Sequence, residues 1–600
     1  MNKYIIFFLT LTILLFPKNV FAKSFDISTD INYEIEKSGT TKATHEIKIT
    51  NNEEFIHSPS YKLILDVDGI EEMRVYSGSG ESLPFTVNDL ENEGKEIKVV
   101  FSERTVGKGN STEFNLEYKT KKIAQRLGET WEINIPGMNT EVFEEFKASV
   151  TIPDTFEEAS IIKPSKGVTK SGNKYIFSKN AINKSGALLI LGEKEYFSLK
   201  LSYSLSNNNF FPLRTEIALP PETPYQEVIL KDINPAPSNI HLDEDGNYLA
   251  EYQLKPGEKK TVNATVLVKT KSPGEYSEEL SDQEFKKYTS PEDNWERTKE
   301  IQQLAKKLNT PEKIYNYLIT EFNYNYSRTA SADHRLGANL ALKEKNNVVC
   351  LEFTDLFVAL ARAAKIPARS VEGYAYTHND STRPLSLVQD VLHAWPEYYN
   401  AERRQWVMID PTWGNTTSGI DYFNTFDISH ITFVRKGVDS TYPIPAGGYK
   451  DEKEKQVVVN FLSPEEFKKD EKAEFSASQK NILNPLGKTA VIIRIKNTGN
   501  SPISNKKITV SNTSDNSVKE FILHHIPPLG EKKIEFILNS SLLTKGTHEI
   551  KIQLDDKEFT TTANTGIKQI PLFGLAGGVL FGTVLAFTYQ TGRLPISRRK

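Results

Sequence analysis

Cys350 is the chain's only cysteine, so its thiol is free for chemistry, and neither an intramolecular disulfide nor a cysteine-rich zinc site can form. After it, Phe353, Leu356, Phe357, Leu360 and Ala364 recur at helical spacing until Pro367 stops the pattern. The cysteine therefore opens a buried helix, where unpaired backbone N–H groups and the helix dipole favour a thiolate. A lone cysteine is more often an inert core residue, so a partner is needed. Leu392–Tyr399 and Arg404–Asp410 read as paired strands, with Asn400–Arg403 as a four-residue hairpin loop. That register sets Tyr399 opposite Arg404 and His393 opposite Asp410. Paired residues on antiparallel strands have Cα atoms ~5 Å apart, within reach for a carboxylate to hold an imidazole through one N–H. The plain alternative is a satisfied core histidine and an aspartate that ends a strand before Pro411. The shared register favours the working pair. Cysteine, histidine and aspartate together supply thiol catalysis: the thiolate attacks a carbonyl, the imidazolium protonates the leaving amine, and the carboxylate holds the ring. Trp395 and Trp413 lie beside these residues in sequence and are expected to wall the substrate site.

These residues sit in a section from about 280 to 448 with mixed helical and strand periodicity. Ile301, Leu304, Ala305 and Leu308 fit one helix face; Ile314, Tyr317, Leu318 and Phe322 fit another. This is the expected α+β catalytic domain. Before it, 23–195 shows short alternating runs such as Thr44–Ile49 and Tyr61–Val67, broken by turn residues, and reads as a β-sandwich. A second β domain is expected over 196–272. Within it Asp243–Asn247 reads as a hairpin turn rather than a calcium loop. After the charged run Lys450–Lys455, alternation returns over 470–562, which reads as an immunoglobulin-like sandwich.

The motifs around the three residues resemble the transglutaminase-like superfamily. Cys350-Leu351-Glu352-Phe353, Ala361-Arg362-Ala363, Ile366-Pro367-Ala368-Arg369 and Gly373-Tyr374 look like its nucleophile helix and following strand. His393-Ala394-Trp395 and the run Trp406 to Thr412 look like its second and third motifs, and Arg335-Leu336-Gly337-Ala338 fits upstream. The resemblance implies a papain-like fold and the triad Cys350, His393 and Asp410. It also implies action on amide bonds of proteins or peptides through an acyl-thioester, resolved by an amine or by water. One position departs from the pattern: Val348 stands where the family often has glycine. The competing reading is a non-catalytic adhesive or scaffolding protein that keeps the fold as a binding surface.

The ends of the chain suggest export and anchoring. Lys3, the apolar run Tyr4–Phe16, Pro17 and the small residues Val20 and Ala22 read as a signal peptide, 1–22. Ile570–Tyr589 carries no charge and is long enough to span ~30 Å as a helix. Arg593, Arg598, Arg599 and Lys600 follow it and would stay in the cytoplasm. The expectation is a single-pass cell-membrane protein with one transmembrane helix at 570–590, a basic tail at 591–600 and the large domain extracytoplasmic.

Composition sets the outer limits. The chain has 600 residues, enough for about four domains of ~150. Hydrophobic residues are 38% and charged residues 25%, a globular balance. Lys+Arg 74 against Asp+Glu 78 gives −4, so no nucleic-acid role is expected, since phosphate neutralisation needs a basic face. No motif calls for a metal or other cofactor, and no pattern fixes an oligomeric state.

Overall fold

The computed structural model describes residues 23–90, 94–182, 186–274, 276–330, 335–377, 383–385, 392–449, 455–481, 488–539, 546–555 and 557–565. The fold is rich in β-structure, with six α-helices among the described residues, all between Asp282 and Thr416. The expected fold class is corrected in one respect. Among the described residues no helix is long and apolar enough to cross a membrane. The expected span at 570–590 and tail at 591–600 lie outside the described residues, as does the expected signal peptide at 1–22.

Two compact units divide at about Asp470. The first begins with the alternation read from the sequence: strand Thr41–Asn51 buries every second residue, as the two-residue period of a strand requires. It belongs to a seven-stranded sheet in which Phe25–Ile35 pairs parallel with Glu145–Thr151. A four-stranded sheet built from Ala124–Leu127, Thr130–Ile135, Ala159–Lys163 and Ala187–Leu191 completes much of this part. Next, Lys194–Ser206, Gln226–Asn234 and Lys259–Lys271 form a sheet whose fourth strand, Val457–Phe461, comes from beyond the central domain. The chain therefore returns to this β-layer after completing the central domain.

That central domain opens with α1 (Asp282–Tyr288), α2 (Lys299–Leu308), α3 (Pro311–Glu321) and α4 (Gly337–Lys343). Helix α5 (Cys350–Ala363) follows and buries nearly all its residues. It packs on α2, α3 and α4, and on strands β1 (Ala368–Ala375) and β2 (His393–Asn400). The sheet is completed by β3 (Gln405–Met408) and β4 (His430–Lys436), in the order β3-β2-β1-β4, and α6 (Pro411–Thr416) follows β3. Gly373 in β1 has to be glycine: a Cβ there would stand 2.0 Å from the Ile431 carbonyl oxygen, where a bulge draws β4 close.

The β2–β3 hairpin differs from its expected register. Asn400 pairs with Gln405 and Tyr399 with Trp406, two residues beyond the expected partner Arg404. The cause is local. Asn400 ends the strand, and its side-chain oxygen accepts the N–H groups of Glu402 and Arg403 at 3.1 and 3.0 Å. Arg404 then turns the chain back with φ 52°. A slip of two keeps every residue on its expected face, so Asp410 becomes a diagonal neighbour of His393 instead of a direct one.

The second unit, from about Glu471, is a two-sheet sandwich. One sheet has three strands around Lys488–Asn497, and the other has four, with Ile503–Asn512 and Gly546–Leu554 at its centre. Val491, Ile493, Ile508, Val510, Ile550 and Ile552 fill its core.

Candidate active site

Cys350 is the first residue of α5 and is 3% exposed. Val349 precedes the helix and has no side chain to cap it, so Glu352 caps from inside: one carboxylate oxygen accepts the Val349 N–H at 2.9 Å. The other accepts the Leu336 N–H at 2.9 Å, and Arg328 pairs with the group at 3.1 Å. One turn on, Asp355 accepts from Trp295 Nε1 and Arg335 Nε, both at 2.8 Å. Two buried carboxylates therefore tie the start of α5 to three other segments. Val348 needs no glycine-only conformation: its backbone forms a parallel bridge with Tyr324, an extended arrangement that suits a β-branched residue.

His393 opens β2, and its Nε2 lies 2.8 Å from Asp410 Oδ2. Asp410 is fully buried and serves two purposes. As N-cap of α6 its Oδ1 accepts the N–H groups of Thr412 and Trp413 at 2.9 and 3.0 Å, which fixes the carboxylate plane. That leaves Oδ2 for the imidazole. The other ring nitrogen, Nδ1, is buried with no hydrogen-bond partner, and Cys350 acts on the same ring. Burial disfavours the imidazolium, but the Asp410 carboxylate, and behind it Cys350, outweigh burial and hold His393 at about 8. Burial likewise opposes the Asp410 anion, yet His393 and His430 keep it well below the usual carboxylate range. The ring is clasped between two indoles, Trp395 at 5.8 Å and Trp413 at 5.2 Å between centroids. Both indoles are buried, at 0% and 1% exposure, so they pack the imidazole and present no surface to a ligand.

Cys350, His393, Trp395 and Asp410 lie inside a segment that a family comparison covers. Residues 296–411 match the transglutaminase-like superfamily. The chain carries a transglutaminase-like domain. No curated protein matches the chain. Among solved structures the chain is similar to a cysteine protease candidate from Cytophaga hutchinsonii, at 17% identity over 45% of this chain and 92% of that one, with TM-score 0.33. It is also similar to the periplasmic domain of TgpA from Pseudomonas aeruginosa, at 14% identity over 38% and 94%, with TM-score 0.22. A third is native leukotriene A4 hydrolase from Saccharomyces cerevisiae, at 15% identity; the match covers 29% of this chain and 30% of that enzyme, with TM-score 0.21.

The transglutaminase-like domain holds further polar residues that sequence reasoning passed over. His430, at the start of β4, sends Nε2 to the same Asp410 Oδ2 at 3.3 Å and Nδ1 to Asp427 Oδ1 at 2.7 Å. Nothing in its sequence context marks it: it is one of ten histidines and lies beyond the matched segment. Tyr324 keeps a buried hydroxyl without a partner. Burial first, and then Cys350, push that phenol up.

His393, Asp410 and His430 offer one ligand atom each within 4.8 Å, a grouping that could hold a metal ion. Hydrogen bonding describes it better. Ligand atoms on one tetrahedral ion stand about 3.3 Å apart, whereas His393 Nε2 lies 2.8 Å from Asp410 Oδ2, an N–H···O length. A second grouping, Glu216, His241 and Glu251, lies on a three-stranded sheet of Leu213–Leu219, Tyr248–Leu254 and Asn239–Leu242. There the imidazole bridges two carboxylates through different nitrogens, at 3.2 and 3.6 Å.

Proposed function

We propose that the transglutaminase-like domain is a thiol enzyme acting on amide bonds of proteins or peptides, with Cys350 as nucleophile, His393 as acid–base and Asp410 as the group that orients His393. The observation that carries this reading is the buried His393–Asp410 bond at 2.8 Å, which leaves Nδ1 without a hydrogen-bond partner in a ring that also feels Cys350. The sulfur attacks the carbonyl carbon, and charge moves to the carbonyl oxygen. In this reading backbone N–H groups at the start of α5 receive that charge, and the unpartnered buried hydroxyl of Tyr324, which interacts with Cys350, supports a second donor there. The imidazolium gives its proton to the departing amine as the C–N bond breaks, leaving an acyl-thioester. A second amine or a water then gives up a proton to His393, attacks the thioester and frees the thiolate.

Export fits the same reading: the apolar run Tyr4–Phe16 followed by Val20 and Ala22 supports delivery of the enzyme across a membrane. The test of the reaction is incubation with a glutamine-containing protein and a labelled primary amine, followed by mass spectrometry. Amine incorporation identifies transfer, chain cleavage identifies proteolysis, and a small mass gain identifies deamidation. None of the three, with a folded protein and Cys350 unmodified, would contradict the proposal.

A further inference from the structure

The matched segment ends at residue 411, but the polar chain that reaches Asp410 does not. His430 stands between two carboxylates, with Nδ1 at 2.7 Å from Asp427 and Nε2 at 3.3 Å from Asp410. Both of its nitrogens face acceptors only, so the ring satisfies them only as an imidazolium with two N–H donors. The other oxygen of Asp427, Oδ2, lies 3.6 Å from Lys163 Nζ. Lys163 does not belong to the transglutaminase-like domain. It is the last residue of strand Ala159–Lys163 in the N-terminal β-part. Ile161, Leu188 and Ile190 of that sheet pack against Ile428, next to Asp427, which brings the lysine in.

Lys163 is 0% exposed, and its ammonium has no hydrogen-bond partner. It sits 3.2 Å from the centroid of the Tyr422 ring. A buried lysine in so dry a place is costly unless an anion holds it. The charges that face it are Asp427, Arg383, Asp410 and Asp421. Of these, Arg383 is already paired with Glu132. Burial lowers Lys163 to about 8 and Asp427 opposes the fall, so the ammonium is charged at neutral pH.

We propose that Lys163 is a positioning residue of the active site: it closes a buried chain of alternating charges, Lys163–Asp427–His430–Asp410–His393–Cys350, whose far end is the thiolate. With Cys350 ionised, three cations face three anions and the chain is neutral as a whole. Each link holds the next in its charged state. The N-terminal β-part is thereby a working component of the catalytic centre. This rests on the thiol-enzyme reading above and adds a part to it.

The test uses the full chain and the pH dependence of Cys350 alkylation by iodoacetamide. Lys163→Met leaves the buried chain with one uncompensated negative charge, which a proton will neutralise. The rising limb of the rate profile should move up by about one pH unit, a roughly tenfold slower reaction below the limb. The double variant Lys163→Met with Asp427→Asn removes both charges, and its profile should return to within about twofold of wild type. A loss of packing at Lys163 would not be rescued by the second substitution, and a purely structural charge pair would not move the Cys350 profile. Should Lys163→Met not fold, Lys163→Gln is read in its place with the same expectations. An unmoved profile in the folded single variant overturns the proposal, and so does an equal defect in the single and double variants. If wild-type Cys350 itself reacts like a free thiol, the enzyme reading fails. If wild type shows the activated thiol and the Lys163 variant matches it, only this inference fails.

Discussion

In the C-terminal sandwich, ion pairs such as Lys507–Glu520 and Lys551–Glu558 lie in water, with side chains 43–61% exposed, and the core is apolar. In the transglutaminase-like domain, Glu352, Asp355, Arg362, His393, Asp410 and His430 are buried, at 0–4% exposure. The sandwich needs only to fold, and hydrophobic burial suffices for that. The transglutaminase-like domain holds two imidazoles and two carboxylates in fixed geometry and away from water, where charge interactions are strong and unpaired charges are costly. Its interior charges are therefore tied at both ends. Arg362 shows the pattern: its guanidinium donates to the carbonyls of Ala368, Ser290 and Gly437 at 2.7–2.9 Å.

The contrast can be broken at several points. Arg335→Met should strand the Asp355 carboxylate inside the domain and cost about 3–5 kcal/mol, read by urea unfolding. A loss near zero would mean that the buried charges do not hold α5. Asp410→Asn should cut turnover by ~10²–10³ while the protein stays folded, because the amide presents N–H to the ring and removes the charge that supports the imidazolium. Turnover and thermal unfolding measured on one sample separate loss of mechanism from loss of fold. In the sandwich the balance should reverse. Ile493→Ala, at a fully buried position, should cost about 2–4 kcal/mol through the cavity it leaves. Lys507→Ala should leave the thermal midpoint unchanged, because its pair with Glu520 is solvated.

The same contrast explains what could be read from the chain alone. Alternation in Ala490–Ile495 and periodicity from Phe353 to Ala364 both follow from burying apolar side chains, so the sandwich strands and α5 were visible in outline. Asp410 and His393 were legible because a hairpin slip of two preserves side-chain faces. The slip itself was not legible: it depends on the Asn400 side chain capping the turn and on a left-handed Arg404, and neither has a distinctive pattern. Trp395 and Trp413 were expected to wall the substrate site, yet they clasp the imidazole, and their burial on both faces could not be known without the sheet. His430, Asp427 and Lys163 were invisible, because the last comes from a separate β-part and the group forms only when the two surfaces meet.

The most direct measurement is the rate of Cys350 alkylation by iodoacetamide across pH, in wild type and in His393→Ala. A thiolate paired with an imidazolium gives a reactive plateau around neutral pH that ends near 8, where His393 gives up its proton. His393→Ala should abolish that plateau and leave a rate that simply rises with pH, in a protein whose unfolding is cooperative. Wild-type and variant curves that both follow a free thiol would show that the sulfur and the imidazole do not share a proton, and the account of the site would fall.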